Sequence, residues 1–352
     1  MKGIKSLVSM GLFLFVLIWA IGSVSLAAEK PLMWQGKKFP SSPIVIVCAG
    51  SIGGGSDVQA RLIQATIEKR FKLGQPVIVL NKGGTAGGAD AFIITEKKAS
   101  PYYISPIQMQ IWNFAINGSQ YRALDFVPLA NLVMDPEVVI VPANSPYKTL
   151  ADLVAAAKKR PGQLTVASTQ VGSADNVGLM QLQDATGTQF RLVSFSGGGN
   201  IHREILSGRF DMAFTNPSDV MPSLEAGKLR LLVQTTATRS QAPSLKDIPT
   251  MKESGYNMNY AIHRGIFGCP DLPMEFIKFY EKVFKTVLED GDFQEKYVKR
   301  FGMVPAFMGY EEYRKYLKPV YKNYIKVLRE KGLVKDLPPH LDPDKPHPQF
   351  SD

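Results

Sequence analysis

Short apolar runs alternate with amphipathic helical segments along most of this chain. The run "PIVIV" precedes a helical segment at residues 57–71, and "QPVIVLNKG" precedes one at residues 88–98. Further along, "LTVAST" leads to "SADNVGLMQLQDATG", "FRLVSF" to "GNIHREILSG" and "FDMAFTN" to "PSDVMPSLEAGK". Regular alternation of this kind is typical of an α/β fold with mainly parallel sheets flanked by helices.

Glycine-rich loops recur where these strands give way to helices. They are "SIGGGSD" at 51–57, "NKGGTAGGAD" at 81–90, "STQVGSAD" at 168–175 and "SFSGGGN" at 194–200. Glycine removes the Cβ atoms that keep a ligand away from the backbone, and helix N-termini present unpaired N–H groups. Ligands of parallel sheets bind outside the carboxyl ends of the strands. Each loop alone could be an ordinary tight turn, but four of them predict a shared site for an anion.

The first 28 residues have the features of an export signal. "MKGIK" supplies positive charge, an apolar core follows at residues 7–20, and "SVSLAAEK" offers small residues for cleavage. An uncleaved membrane anchor is the alternative, although the apolar core is shorter than the roughly 20 residues that a membrane span needs. We predict a cleavable export signal at residues 1–28.

The rest of the chain is long for a single core and normal for two lobes. Extended connections near residues 133–138 and 231–238 could carry the chain from one lobe to the other and back. We predict a discontinuous lobe 1 at residues 29–134 and 237–352, and a continuous lobe 2 at residues 135–236.

The net charge narrows the class of partner. The chain of 352 residues carries a net charge of +10, and it keeps +8 after the signal takes Lys2 and Lys5 away (10 − 2). This surplus fits an anionic ligand or an acidic partner surface, or else solvated lysine faces on the C-terminal helix. We expect no nucleic-acid partner, because no basic stripe is interleaved with aromatic residues.

Motifs for catalysis and for metal binding are missing from the sequence. It has no Walker phosphate loop, no G-x-G-x-x-G spacing and no complete nucleophile elbow. The four histidines, His202, His263, His340 and His347, lack the spacing of metal ligands. We predict no enzyme, no cofactor and no metal. Cys48 and Cys269 each end a predicted strand, and the sequence leaves open whether they form a disulfide.

Several longer segments together resemble one known family. "GGGSDVQARLI", "LGQPVIVLNKGGTAGGADA", "SFSGGGNIHREILSGRFD", "AGKLRLL" and "DIPTMKESGY" are similar to its signatures. The family is that of the substrate-binding proteins of tripartite tricarboxylate transporters, the TctC-like or Bug receptors. The resemblance extends from Pro43 to about Gly332.

This resemblance implies a periplasmic binding protein of type II, a Venus flytrap whose two lobes close over a small organic carboxylate. Its partners would be integral membrane transporter subunits, and we expect a monomer. In the family, backbone amides and hydroxyls hold the ligand. The matching positions here are Ser51, Ile52, Gly53, Gly54, Gly55, Ser56, Asp57, Asn81, Gly83, Gly84, Thr85, Ser168, Gly172, Ser173, Ser196, Gly197, Gly198, Thr215 and Asn216. Asp57 also fits a helix cap, and a role with a ligand amine stays open.

One departure from the family pattern concerns ligand choice. His263 and Arg264 stand where an aromatic residue commonly precedes a strand. Arginine binds a carboxylate with two parallel hydrogen bonds, so Arg264 is a candidate to hold a second ligand carboxylate. A surface or hinge role is the alternative for Arg264. For the whole chain, the alternatives to a transport receptor are a receptor that presents its ligand to a sensor kinase and an exported α/β enzyme.

Overall fold

The computed structural model describes residues 30–48, 52–53, 55–82, 99–106, 126–169, 171–195, 198–337 and 342–343. The predicted export signal and the predicted helix at 88–98 lie outside these residues. So do seven predicted site residues: Ser51, Gly54, Gly83, Gly84, Thr85, Ser196 and Gly197. The chain divides into two units, Met1–Pro31 and Leu32–Asp352. Every element below belongs to the second unit.

The described elements alternate as the sequence predicts. In chain order they are β1 (Met33–Trp34), β2 (Lys37–Lys38), β3 (Ile44–Cys48), α1 (Gly55–Arg70), β4 (Val77–Asn81), β5 (Tyr103–Ser105), β6 (Val127–Pro136), β7 (Val138–Pro142), α2 (Leu150–Lys159), β8 (Thr165–Thr169), α3 (Ala174–Thr186), β9 (Arg191–Phe195), α4 (Gly198–Leu206), β10 (Met212–Thr215), α5 (Pro217–Glu225), β11 (Leu229–Gln234), β12 (Ala261–Gly268), α6 (Met274–Glu289), α7 (Gly291–Phe293), a π-helix (Gln294–Lys299), β13 (Val304–Met308) and α8 (Tyr310–Glu330). Among the described residues, no helix is long and apolar enough to span a membrane.

These strands form two large sheets and one small hairpin of β1 and β2. The six-stranded sheet has the order β13-β6-β12-β5-β3-β4, and only the β3–β4 and β3–β5 pairs are parallel. The five-stranded sheet has the order β11-β7-β10-β8-β9, and only the β10–β8 and β8–β9 pairs are parallel.

Both sheets are therefore mixed, and the prediction of mainly parallel sheets is wrong in this respect. The antiparallel pairs come from the strands that connect the two sheets. β6 leads the chain out of the six-stranded sheet, and β12 brings it back beside β6, with Ala261 opposite Pro136. Neighbouring strands that leave and return must run in opposite directions. Antiparallel pairs also need no helical crossover, so the helix pattern gave no sign of them.

Glu137 and Thr235 lie where the chain passes between the two sheets. The Thr235 N–H donates to the Glu137 carbonyl at 3.0 Å, and the Tyr260 N–H donates to the Thr235 carbonyl at 2.9 Å. The Thr235 hydroxyl also donates to the Tyr260 carbonyl at 2.6 Å. These hydrogen bonds hold the segments that pass between the two sheets side by side, within the predicted connections at 133–138 and 231–238.

Apolar side chains fill the layers between sheets and helices. Helix α8 contributes Tyr313, Leu317, Tyr321, Tyr324 and Leu328, whose spacing places them on one buried face. Cys48 and Cys269 are both buried as thiols. The Cys269 thiol donates to the Tyr103 carbonyl at 3.6 Å.

Candidate functional site

Helix N-termini from both sheets face one another at one end of the strands. α1 follows β3 of the six-stranded sheet, and α5 follows β10 of the five-stranded sheet. A Cβ atom on Gly55 would lie 2.9 Å from the Ser218 hydroxyl and 3.3 Å from Nη2 of Arg264. The first turn of α1 is therefore in close contact with α5 and with β12. A Cβ atom at Gly55, the first residue of α1, would therefore crowd the Ser218 and Arg264 side chains, which favours glycine at this position.

Asp219, in the first turn of α5, lies within this group of helix N-termini. Its carboxylate accepts a hydrogen bond from the Thr215 hydroxyl at 3.1 Å and another from the Gly55 N–H. A Cβ atom on Gly198 would overlap the Asp219 carboxylate, so this carboxylate also rests on the N-terminus of α4. The carboxylate of Asp219 thus contacts two of the predicted anion-binding loops, at 51–57 and at 194–200.

Arg264 lies beside Asp219 and is paired with a different acid. Its Nε donates to Oδ2 of Asp135 at 2.7 Å, and its Nη2 contacts the same oxygen. Both side chains are almost completely buried. The surface alternative for Arg264 is therefore wrong. Its predicted contact with a ligand carboxylate stays a prediction, and the charge of Arg264 is already balanced by Asp135.

Two further acids complete what we call the acid cluster: Asp135, Glu137, Asp175 and Asp219. Glu137 is fully buried, and among the described residues its carboxyl oxygens have no hydrogen-bond partner other than the Asp175 carboxyl. The Asp175 carboxyl lies within hydrogen-bonding reach of Glu137. Two carboxyl groups can share a hydrogen bond only when one of them is protonated.

Burial raises the pKa values of three members of the acid cluster, Asp135, Glu137 and Asp219. Burial raises the pKa of Asp135 to about 7, and the Arg264 charge only partly opposes this. Burial and the Asp175 charge raise the pKa of Asp219 to about 6, against the opposing effects of Arg264, Thr215 and Gly55. Burial, followed by the Asp175 carboxyl, raises the pKa of Glu137 well above its usual value. The cluster therefore retains protons close to neutral pH.

Two buried tyrosines, Tyr260 and Tyr297, lie near members of the acid cluster. The Tyr260 hydroxyl donates to the Ala174 carbonyl at 2.8 Å, at the start of α3. Tyr297 is fully buried, and its hydroxyl has no hydrogen-bond partner among the described residues. Burial raises the pKa of Tyr297, and the charges of Arg264, Asp135 and Asp219 also act on it.

The loop before α3 satisfies its polar groups internally. The Gly172 N–H donates to Oδ1 of Asn176 at 2.9 Å, and the Asn176 N–H donates to the Ser173 hydroxyl at 3.1 Å. Tyr324 of α8 contacts the Gly172 carbonyl. Gly172 has φ of +79°, which favours glycine. The predicted site residues Gly172 and Ser173 thus lie at the N-terminus of α3, beside Asp175.

Three other predicted residues also make contacts within the five-stranded sheet or at its edge. The Ser168 hydroxyl donates to the Phe214 carbonyl at 2.9 Å, and both groups are buried. The Asn216 amide donates to the Pro136 carbonyl at 3.1 Å, next to the passage between the sheets. Thr215 donates to Asp219, as described above.

Asp57 and Asn81 form a separate group at the side of α1. The Asp57 carboxylate accepts from the Gly53 N–H at 2.9 Å, from Nε of Arg61 at 2.9 Å and from the Asn81 amide at 2.8 Å. Burial raises the pKa of Asp57, but these three hydrogen bonds outweigh it and leave the pKa below its usual value. In this structure Asp57 fastens the loop before α1. Ile52, in the same loop, is 77% exposed.

The acid cluster was not predicted from the sequence. Asp175 and Asp219 stand in the first turns of helices, where acidic residues are common because of the helix dipole, so neither position was distinctive. The stretch "MDPEVV", which holds Asp135 and Glu137, was the available signal, because two acids interrupt an otherwise apolar strand pair. Among the described residues, no group of three or more His, Cys, Asp and Glu side chains is arranged to hold a metal ion.

The chain is similar in sequence to a known protein family. Residues 59–333 match the model of the tripartite tricarboxylate transporter family receptor, TctC. The UPF0065 protein in the gbd 5' region of Cupriavidus necator is 27% identical over 320 residues, which cover 90% of this chain and 95% of that protein.

Two solved structures have the same fold. A structure described as a periplasmic transporter has a TM-score of 0.76 at 26% identity and covers 85% of this chain and 100% of its own. A Rhodopseudomonas palustris protein, Rpa4515 with adipate, has a TM-score of 0.75 at 24% identity and covers 84% of this chain and 99% of its own. The predicted type II periplasmic binding fold, α/β with two lobes, is confirmed. The chain belongs to the family of tripartite tricarboxylate transporter receptors, TctC.

Proposed function

We propose that this protein is a periplasmic receptor that captures a small organic carboxylate between two lobes and delivers it to the membrane subunits of a tripartite tricarboxylate-type transporter. The family match over residues 59–333 supports the receptor role. The structural neighbour with adipate supports a carboxylate as the solute.

The position of the Asp219 carboxylate is the observation that carries this proposal. Backbone N–H groups at helix N-termini bind anions because they are unpaired and lie at the positive end of the helix dipole. Here the Gly55 N–H and the Thr215 hydroxyl already bind a carboxylate that belongs to the protein. The same group of helix N-termini is therefore chemically suited to a carboxylate of a solute.

Closure of the lobes is the second part of the proposal. Lobe 1 consists of residues 29–134 and 237–352, and lobe 2 of residues 135–236. Gly55 belongs to lobe 1, whereas Ser218 and Asp219 belong to lobe 2. The contacts of Gly55 with Ser218 and Asp219 therefore join the two lobes, and under this proposal they form when the lobes close. Hinges absorb dihedral changes in a few residues, and the passages at Glu137 and Thr235 are the positions for them. A smaller radius of gyration with solute would support this closure.

The sequence is the basis for the proposed periplasmic location and for the proposed delivery of the solute to membrane subunits. Residues 1–28 act as a cleavable export signal that takes the protein to the periplasm. There it delivers its solute to integral membrane subunits as a monomer, without a cofactor or metal. Uptake of the solute by cells with and without this gene tests the delivery step. Equal uptake would contradict it.

Thermal unfolding of the protein without residues 1–28 tests the binding step. A solute present at 100 times its Kd adds about 2.7 kcal/mol to the free energy of unfolding. We expect a series of mono-, di- and tricarboxylates to include members that raise the melting temperature in a saturable way. Uncharged amides of the same acids are the matched controls and should have no effect. Absence of any shift across the acids would overturn the proposal.

A further inference from the structure

The exposed face of α8 carries a continuous stripe of positive charge. Lysine and arginine side chains recur there at intervals of three or four residues, which places them on one face of the helix. This face, which we call the basic stripe, consists of the exposed residues Lys315, Lys318, Lys322, Lys326 and Arg329. At the helical rise per residue, the stripe is about 21 Å long. It is therefore long enough to contact a folded partner.

Acidic side chains are confined to the two ends of α8. Glu311 and Glu312 lie in its first turn, where the helix dipole favours them, and Glu330 is its last residue. Between them, the segment 313–329 has six lysine and arginine residues and no aspartate or glutamate. The middle of the helix is thus of one sign over several turns.

Two ion pairs join the C-terminal end of the stripe to acids. Nζ of Lys326 lies 3.8 Å from the Glu330 carboxylate, and Nη2 of Arg329 lies 3.5 Å from the Asp342 carboxylate. Lysines four residues apart, such as Lys322 and Lys326, repel each other and weaken a helix. The stripe therefore costs helix stability, and a partner with negative charge would offset that cost.

Helix α6 shows that an exposed helix face in this protein can be of mixed sign. Like α8, it packs against β6 with its apolar face. Its lysines and glutamates are interspersed: Glu275, Lys278, Glu281, Lys282, Lys285 and Glu289. Mixed signs of this kind are sufficient for solubility. The basic stripe is therefore a feature of α8 and not of every helix surface in this protein.

The inner side of α8 attaches the stripe to both sheets. The Tyr316 hydroxyl lies 2.7 Å from Nε2 of His263, on β12 of the six-stranded sheet. The Tyr324 hydroxyl contacts the Gly172 carbonyl, in the loop between β8 of the five-stranded sheet and α3. This loop is one of the predicted solute-binding loops. A partner docked on the stripe would therefore contact the helix that joins the two halves of the fold beside the candidate site.

We propose that the basic stripe of α8 is the surface through which this receptor docks on an acidic protein surface of its membrane subunits. This inference rests on the proposed function and names the face that meets the partner. Opposite charges steer two proteins together and fix their orientation, and salt weakens this attraction. The net positive charge of the chain acts in the same direction.

An acidic protein surface fits the stripe better than a lipid bilayer does. A helix that binds a bilayer inserts its apolar face into the lipid. The apolar side chains of α8, Tyr313, Leu317, Tyr321 and Leu328, are buried in the protein. The charged face is the part of the helix that a partner can reach, and a folded acidic surface can match the spacing of its charges.

Binding of poly-L-glutamate, with a charge-matched control, tests the stripe in solution. The stripe variant carries Lys315→Glu, Lys318→Glu and Lys322→Glu. The control variant has the same net charge and carries Lys278→Glu, Lys282→Glu and Lys285→Glu on α6. Isothermal titration calorimetry uses the protein without residues 1–28. We expect the Kd for poly-L-glutamate to rise at least about tenfold in the stripe variant and less than about threefold in the control. Equal changes in both variants would overturn the proposal.

A milder variant and a folding control accompany this comparison. Changing the same three stripe lysines to glutamine removes their charge without reversing it, and we expect an intermediate rise in the Kd. The substituted side chains are exposed, so the melting temperature of each variant should stay close to that of the wild type. If the glutamate variant does not fold, the glutamine variant decides, and an unchanged Kd in it would contradict the proposal.

Uptake by cells tests docking on the membrane subunits. Cells that lack this gene receive the wild-type gene, the stripe variant or the control variant. Uptake is measured with the carboxylate that most raises the melting temperature of the wild type, at a concentration below its Kd. We expect the stripe variant to lower the uptake rate at least about tenfold, although its Kd for that carboxylate is unchanged. The control variant should restore uptake.

The outcomes separate this inference from the proposed function. Uptake that the stripe variant restores as well as the wild type overturns the inference and leaves the proposed function intact. Uptake that is equal with and without the wild-type gene overturns the delivery step and, with it, docking on membrane subunits. Binding to vesicles of phosphatidylglycerol that the stripe variant loses, with no binding to poly-L-glutamate, overturns the inference because the partner would then be lipid.

Discussion

Two groups of acids at the same end of the sheets differ in how their oxygens are satisfied. Asp57 accepts hydrogen bonds from Gly53, Arg61 and Asn81, and its pKa is lowered. In the acid cluster, among the described residues, Oδ1 of Asp135 has no hydrogen-bond partner and the Glu137 carboxyl has only that of Asp175, and the pKa values of Asp135, Glu137 and Asp219 are raised. A carboxylate that is fully supplied with donors stabilises the structure. A cluster that is short of donors costs stability, and groups with strongly shifted pKa values concentrate at functional sites.

The largest expected loss of stability comes from removing Arg264, whose charge balances the acid cluster. Arg264→Leu leaves Asp135 buried without its partner, and we expect it to lower the free energy of unfolding by roughly 3 to 5 kcal/mol. Arg61→Leu removes the corresponding arginine from Asp57, but Arg61 is exposed, so its effect should be much smaller. Urea denaturation at pH 7.5 measures both.

A double variant sharpens this test. Arg264→Leu combined with Asp135→Leu replaces the buried pair by apolar side chains and should recover most of the lost stability. Equal losses for Arg264→Leu and Arg61→Leu would contradict the distinction between the two groups of acids.

A pair of neighbouring glycines tests the contact of Asp219 with α4. Gly198→Ala places a Cβ atom against the Asp219 carboxylate and should cost about 1 to 3 kcal/mol. Gly199→Ala adds a Cβ atom in open space one position later in the same helix, and should be neutral or stabilise by up to about 1 kcal/mol. Thermal unfolding of both variants gives the comparison, and the opposite order would rule out the described position of Asp219.

Glu137→Gln should stabilise the free protein. The pKa of Glu137 is raised on folding, so the unfolded chain releases a proton above its own value of 4.5 while the folded protein keeps it. Stability is therefore lost as pH rises above 4.5, and the amide removes this loss. We expect a gain on the order of 1 kcal/mol at pH 7.5 that shrinks towards pH 4.5. A gain that grows towards low pH would contradict the raised pKa.

Asp57→Asn should change stability with the opposite pH dependence, and its change in stability should be the smallest of this series. A lowered pKa contributes stability above the unfolded value of 3.8, and this contribution disappears as pH falls through the folded pKa. The variant should therefore be less stable than the wild type at neutral pH and should approach it in acid. Urea denaturation between pH 3 and pH 7 checks the sign, and a difference that widens in acid would overturn the comparison.

The sequence predicted the parts of the fold that depend on local pattern. Strands, helices and glycine-rich junctions follow from short segments, so α1, α3, α4 and α5 begin where those segments indicate. The mixture of parallel and antiparallel pairs was not predictable in this way, because it depends on which strands carry the chain from one sheet to the other and back.

The candidate site was predictable only in part for the same reason. Gly55 and Gly198 were recognised as loop residues, but their shared contact with Asp219 requires the two sheets to meet. Asp135 and Arg264 are 129 residues apart in the chain, and no local pattern connects them. The export signal, the lobe boundaries and the solute contacts of the predicted site residues stay predictions.

The most direct test of the account compares solute affinity in two variants. The solute is the one that most stabilises the wild type in the series of mono-, di- and tricarboxylates, and calorimetry at pH 7.5 measures its Kd. We expect Asp219→Asn to change the Kd at least tenfold, because the Asp219 side chain lies against the helix N-termini that are proposed to bind the solute carboxylate. Arg61→Gln alters only the Asp57 group and should change the Kd less than twofold. An unchanged Kd in Asp219→Asn together with a large loss in Arg61→Gln would contradict the central claim that the acid cluster, and not the Asp57 group, meets the solute.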